Sequence, residues 1–148
     1  MKNFIVLFLL ILLANTTFAS VEVYSNNKKH PIDVQLQQCL DKNYTTAEMN
    51  SCLINSTNLW LDEMNKYVLL INENLDKNQR NVFIKTQKAW LKYYNCEKTN
   101  IFKNIFTQQG TINTTIAYGK ILEITKERTI FLEEFYKTLS TDNVVLPK

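Results

Sequence analysis

The chain has 148 residues, of which 45% are hydrophobic, and its formal net charge is +3. This length suits a single domain that can bury roughly two-thirds of its unfolded surface, so no metal ion is needed for folding. The small net charge, from scattered basic residues, implies no nucleic-acid or anionic-membrane partner. With only two Gly and two Pro residues, the composition disfavours all-β folds, which need many tight turns, and favours long helices.

Residues 1–19 have the pattern of a secretory signal peptide. Lys2 precedes an uncharged apolar run, and the small residues Thr17 and Ala19 stand before the expected cleavage site. The apolar run is shorter than the roughly 20 residues that span a bilayer. We therefore expect cleavage, no membrane span after it, and a periplasmic or secreted location in the bacterial cell envelope.

A polar arm and a short helix are expected to follow the signal. Residues 20–31 are rich in Asn and Lys, and we expect a mobile arm in which His30 is a solvated residue. The first helix is expected over about Ile32 to Lys42, with Leu36, Cys39 and Leu40 on one side.

The second helix is expected to open at Thr45. Thr45 and Glu48 form a capping box, in which each side chain satisfies a backbone amide of the first turn. Apolar positions then recur in steps of three and four, as a helix requires, at Met49, Leu53, Thr57, Trp60, Met64, Val68, Ile71 and Leu75. A stripe of about thirty residues suits a bundle helix.

Asp76 to Asn78 is the expected turn before a third helix, which should run from about Gln79 to Asn104. Its expected inner face comprises Phe83, Thr86, Gln87, Trp90, Tyr93, Tyr94, Ile101 and Phe102. A polar connection around Gly110 follows.

The fourth helix is expected over about Thr115 to Leu139. A heptad-like stripe that should face other helices comprises Ala117, Ile121, Ile124, Arg128, Phe131, Phe135 and Leu139. Because a guanidinium stays charged, Arg128 needs a carboxylate or carbonyl partner or access to water. These elements predict an all-α fold over residues 32–139, an antiparallel bundle of three long helices with a short N-terminal helix, and a frayed tail at 140–148.

No set of catalytic or metal-binding residues is evident in the sequence. One histidine and dispersed cysteines provide no zinc site, and no Gly-rich phosphate loop is present. The adjacent carboxylates Asp62-Glu63 and Glu133-Glu134 point about 100° apart on a helix and cannot face each other. We therefore expect no enzymatic activity and no cofactor.

Three cysteines, Cys39, Cys52 and Cys96, would meet an oxidising compartment after export. An odd count allows one bridge at most within the chain and leaves one thiol over. Cys96 has no histidine partner, so we expect a buried inert thiol or an intermolecular bridge rather than a nucleophile.

From Cys39 to Tyr136 the chain resembles the LprI-like lysozyme inhibitor family. The family's first cysteine corresponds to Cys39, and its motif T-x-x-E-M-x-x-C corresponds to Thr45, Glu48, Met49 and Cys52. Its L-N pair corresponds to Met64 and Asn65, and its Q-x-x-W motif to Gln87 and Trp90. Its Gly-Gly turn corresponds to Gly110, and its T-x-x-R motif to Thr125 and Arg128. A second cysteine pair common in the family is absent, since Lys98 and Lys120 stand at its places. The resemblance implies a Cys39–Cys52 disulfide that pins the first helix, and matched positions that hold the helices together.

The resemblance also implies a function, an exported, non-catalytic module that binds a protein such as lysozyme and blocks it sterically. It supplies no partner-binding residues. The alternative is an envelope structural, adaptor or immunity-like protein that has no contact with lysozyme. Common animal lysozymes are strongly basic, and this slightly basic domain lacks overall charge complementarity to them unless a local acidic patch exists.

Overall fold

The computed structural model describes residues 29–142. It comprises helices α1 (Pro31–Leu40), α2 (Thr46–Asn74), α3 (Lys77–Ile101) and α4 (Ile112–Asp142), with a π-helical turn at Phe102–Phe106. The predicted signal peptide, residues 20–28 of the predicted arm and residues 143–148 of the predicted tail lie outside the described residues. Between residues 29 and 142, none of the helices is long and apolar enough to cross a membrane.

Two of the helix starts are fixed by capping boxes. Thr45 Oγ1 accepts the N–H of Glu48, and the Glu48 carboxylate accepts the N–H of Thr45, as the sequence predicts. Asp76 and Gln79 form a second box at the start of α3. The α2–α3 turn is therefore tighter than expected, and α3 begins two residues before the predicted Gln79.

The three long helices run up, down and up, which confirms the predicted antiparallel bundle. Phe83, near the start of α3, stacks on Phe135, near the end of α4, with ring centroids 6.2 Å apart. α2 and α4 consequently run parallel and form the main helix pair, in which the Thr129 hydroxyl shares its one proton between the carbonyls of Trp60, at 3.0 Å, and Thr125, at 2.9 Å.

The apolar stripe predicted for α2 forms the centre of the core. The stripe residues that are buried are Leu53, Thr57, Trp60, Met64, Ile71 and Leu75. Met49 and Val68 are half-buried at its edges. The helical periodicity of the sequence therefore identified the correct face of α2.

The face of α4 that packs on α2 is rotated from the predicted stripe. Thr125, Thr129 and Leu132 are fully buried, and the two threonine hydroxyls donate to backbone carbonyls one turn earlier. Phe131, which we expected to face the other helices, is 55% exposed. Phe131 therefore lies outside the contact with α2 and is turned towards solvent.

α1 packs antiparallel on α2 and is held at both of its ends. The Cys39–Cys52 disulfide closes one end, with Cα atoms 5.8 Å apart. At the other end, His30 accepts the N–H of Ile32 and its ring lies 4.3 Å from that of Trp60. The expectation that His30 is a solvated residue of the arm is therefore wrong, because this ring is half-buried and caps α1.

The connection between α3 and α4 is built around aromatic rings. The regular part of α3 ends at Ile101, and the π turn brings Phe102 and Phe106 edge-on to Tyr118 of α4. Gly110 has a φ of +98°, a left-handed conformation that Gly adopts without a side-chain penalty. The connection is therefore shorter than expected, and α4 begins at Ile112 rather than Thr115.

Candidate partner-binding site

Four family-motif residues lie together between α3 and α4: Gln87, Trp90, Thr125 and Arg128. Arg128 Nε and Nη2 both donate to Gln87 Oε1, at 3.2 and 2.8 Å. The guanidinium also lies 5.8 Å from the ring centre of Trp90 and 5.3 Å from that of Phe131. The partner of Arg128 is thus an amide carbonyl on another helix, one of the two partner types that we expected.

The cluster continues inwards through Tyr94 and Thr125. The rings of Trp90 and Tyr94 stack with centroids 5.1 Å apart, and Thr125 Oγ1 lies 3.4 Å from Tyr94 Oη. Both polar atoms of the Gln87 amide have a partner, since Oε1 accepts from Arg128 and Nε2 lies 3.8 Å from Met64 Sδ of α2. The cluster therefore ties all three long helices together.

The charge of Arg128 is stabilised by neutral groups. Burial lowers the pKa of its guanidinium, which nevertheless remains charged. Within residues 29–142, the ion pairs that the structure contains do not include this side chain. Gln87 and the two aromatic faces therefore take the place of a carboxylate.

Beside Arg128, an open apolar cleft of about 510 Å³ lies between α3 and α4. Its walls are formed by Leu75, Gln79, Val82, Phe83, Thr86, Arg128, Phe131, Phe135 and Leu139. At the rim, the side chains of Val82 and Phe131 are 65% and 55% exposed. Large apolar groups that converge at a protein surface are typical of a binding site.

An acidic ridge lies beside the cleft on the outer face of α4. Glu123, Glu127 and Glu134 are exposed and fall within an arc of about 40° around the helix, next to Phe131. Glu123 is paired with Lys120 at 2.8 Å, an exposed contact that another cation can displace. The cleft thus has an apolar rim and a negatively charged border.

The remaining predicted positions lie away from the cleft. Glu48 caps α2, and hydrogen bonds from Thr45 hold the pKa of its carboxyl below the usual value. Met49 is half-buried in α2, and Gly110 forms the turn before α4. Asn65 is exposed on α2 and takes no part in the cluster.

The sequence did not predict the cleft, and it did not predict that Cys96 is exposed. Val82 and Phe131 form the rim. Val82 lies outside the predicted inner face of α3, whereas Phe131 belongs to the stripe that was expected to be covered, and its exposure is not evident from the sequence. Cys96 is an exposed free thiol on α3, so the first of the two expectations, a buried inert thiol, is wrong, and the second, an intermolecular bridge, stays a prediction.

Comparison with known proteins gives a family match and a structural match. The family model described as lysozyme inhibitor LprI matches residues 39–132, which contain the disulfide and the Arg128 cluster. The crystal structure of an uncharacterized protein from Burkholderia thailandensis is similar in fold, with a TM-score of 0.71 and 22% identity. The match covers 76% of this chain and 56% of that chain, so this chain spans little more than half of that protein. None of the curated proteins matches this chain significantly.

Proposed function

We propose, from the premise that this chain belongs to the family of lysozyme inhibitor LprI, that it is an exported, non-catalytic module that binds and blocks a lysozyme-type enzyme. Membership of an inhibitor family indicates a protein partner. The disulfide supports a location outside the cytoplasm, because disulfides persist in oxidising compartments. If the protein is exported, its mature N-terminus lies near Ser20. N-terminal sequencing of the protein from its native host would test this, and an intact Met1 would contradict export.

The observation that carries this proposal is the exposed Phe131 at the rim of the α3–α4 cleft, beside the acidic ridge of α4. Protein interfaces concentrate their binding energy in a few central aromatic side chains surrounded by a polar border. Phe131 has this position, between the apolar walls of the cleft and the carboxylates of Glu127 and Glu134. A basic partner such as lysozyme would meet complementary charge at this surface, although the chain as a whole is slightly basic.

The test is a turbidity assay in which lysozyme clears a suspension of bacterial cell walls. The purified protein is expected to slow clearing, and Phe131→Ala is expected to weaken this inhibition about thirtyfold, as loss of a central aromatic contact does. The matched control is Leu69→Ala, which truncates a side chain of similar exposure, 64%, on α2.

Three outcomes separate the possibilities. Loss of inhibition in Phe131→Ala alone supports the cleft as the inhibitory surface. Equal loss in both variants contradicts that assignment. If the parent protein leaves the rate of clearing unchanged, lysozyme is not the partner, and the alternative of an envelope adaptor is then tested by a pull-down from envelope extract with the parent and Phe131→Ala proteins.

A further inference from the structure

Charge is distributed very unevenly among the helices. The sequence of α3 contains six basic residues and a single acidic one, Glu97, which gives this helix a formal charge of +5. The rest of residues 29–142 contains eight basic and twelve acidic residues. The small net charge, from which we expected no anionic-membrane partner, is thus the average of a strongly basic helix and an acidic remainder.

Three of these basic residues form one continuous surface, which we call the lysine face: Lys85, Lys88 and Lys92. All three side chains are exposed, and they fall within an arc of about 60° around α3. The arc lies opposite the buried residues Phe83 and Tyr94, so the ammonium groups point away from the bundle.

The lysine face has no internal counter-charge in the described part of the chain. The ion pairs found between residues 29 and 142 join residues of α1, α2 and α4, and none includes a residue of α3. Lys66, Lys120 and Lys137, in contrast, each contact a glutamate three or four residues away. Among the described residues, the lysine face therefore presents a row of three cations without an ion-pair partner.

The geometry points to the surface of an anionic phospholipid bilayer as the occupant, and we propose that the lysine face binds it peripherally. Lysines are flexible point charges that suit a diffuse layer of headgroups, whereas specific carboxylate recognition favours the fork of arginine. Lys92 also lines an open surface depression with Asn95, Cys96 and Thr99. The exposed Leu91 and Tyr93 flank the lysine face on its two sides. Such apolar and aromatic side chains insert at a membrane interface.

This surface is separate from the α3–α4 cleft, since none of its three lysines lines that cleft. A basic lysozyme would be repelled by it. The inference therefore stands or falls independently of the proposed function.

The test is co-sedimentation of the purified protein with vesicles of phosphatidylcholine alone and with vesicles of equal parts phosphatidylcholine and phosphatidylglycerol. We expect binding to the anionic vesicles only, weakened by added salt. The variant K85Q/K88Q/K92Q is expected to lower the partition coefficient about a hundredfold, at about fivefold for each lysine near the surface.

The matched control is K66Q/K120Q/K137Q, which removes the same number of exposed charges from α2 and α4. We expect it to keep most of the binding. Equal losses in the two triple variants would show that net charge alone drives adsorption and would overturn the assignment, as would equal binding to neutral and anionic vesicles. If anionic vesicles are not bound but an acidic protein is captured through the same lysines, the surface is a protein-binding site and the membrane proposal is wrong. Circular dichroism and thermal melting confirm that both variants are folded.

Discussion

Arg128 pairs with a neutral side chain, and this determines the cost of removing it. Arg128→Ala leaves no buried carboxylate unpaired, so the loss is limited to two charge-assisted hydrogen bonds to Gln87 and the contacts with aromatic faces. We expect the free energy of unfolding to fall by about 2–4 kcal/mol, measured by chemical denaturation. Arg128→Lys, which keeps the charge but loses the fork, should recover less than half of this.

The control for Arg128 is Lys120→Ala, an exposed basic residue of the same helix, which should change the stability by less than about 0.5 kcal/mol. An Arg128→Ala protein that unfolds at the same denaturant concentration as the parent would contradict the role of Arg128 in joining α3 to α4.

Tyr67 makes the stability of the fold sensitive to alkaline pH. Burial first, and then the charges of Glu133 and Glu63, raise its pKa from 10.0 to about 12. The unfolded chain therefore releases this proton more readily than the folded one, so the contribution is complete below about pH 10 and is lost as the pH rises to about 12. Tyr67→Phe should remove this part of the alkaline destabilisation. Denaturation midpoints measured between about pH 10 and about pH 12 would show a smaller decline than in the parent protein.

Tyr44→Phe is the matched control, because Tyr44 is 82% exposed and its ring lies outside the bundle. It should follow the parent protein at every pH. If Tyr67→Phe shows the same decline as the parent and the Tyr44→Phe control, the phenol of Tyr67 is not held in its neutral form by the fold.

Single residues of the candidate site differ in how far the sequence could identify them. Gln87, Trp90 and Arg128 are recognisable through the family motifs, and the need of a guanidinium for a partner follows from elementary electrostatics. Their direct contact is not predictable, because it depends on the register between α3 and α4. The exposure of Phe131 is equally hidden, since it results from the rotation of α4.

At the scale of the elements, α1 depends on the disulfide for its position. A ten-residue helix is too short to be stable alone, and the Cys39–Cys52 bridge closes a loop with a sequence separation of 13. We expect the double variant C39S/C52S to have a free energy of unfolding that is lower by about 3 kcal/mol. Its amides should lose hydrogen-exchange protection in α1 and keep it in the other helices. Cys96→Ser, which alters an exposed thiol, should leave the free energy of unfolding and the hydrogen exchange of α1 unchanged. If hydrogen exchange in α1 is the same in the double variant as in the parent, the disulfide does not hold α1 in place.

Local signals define two helix starts, but only one of them was recognised in the sequence, since the Asp76–Gln79 box that begins α3 at Lys77 was read as a turn. The Thr45–Glu48 capping box fixed the start of α2 because both of its bonds join residues within one turn. The end of α3 has no such signal. Its π turn is defined by the packing of Phe102 and Phe106 on Tyr118, a contact between residues far apart in the chain.

At the scale of the whole molecule, the net charge conceals an electrostatic asymmetry. The lysine face and the acidic ridge of α4 carry opposite charges on different helices. Composition predicted weak electrostatics because it averages over the chain. The helix positions of the charged residues were readable from the sequence, but the bundle determines which of these positions remain exposed.

This asymmetry predicts opposite effects of two sets of charge substitutions on the encounter with a basic lysozyme. Provided that the proposed function holds, E123Q/E127Q/E134Q should lower the association rate constant about tenfold at low ionic strength, because it removes the attracting carboxylates beside Phe131. K85Q/K88Q/K92Q should raise this rate constant, because it removes repulsion without touching the cleft. Both effects should vanish near 1 M salt, where the Debye length is about 3 Å. Stopped-flow fluorescence would measure the rates, and equal rates for the three proteins at low salt would show that lysozyme does not approach along the acidic ridge.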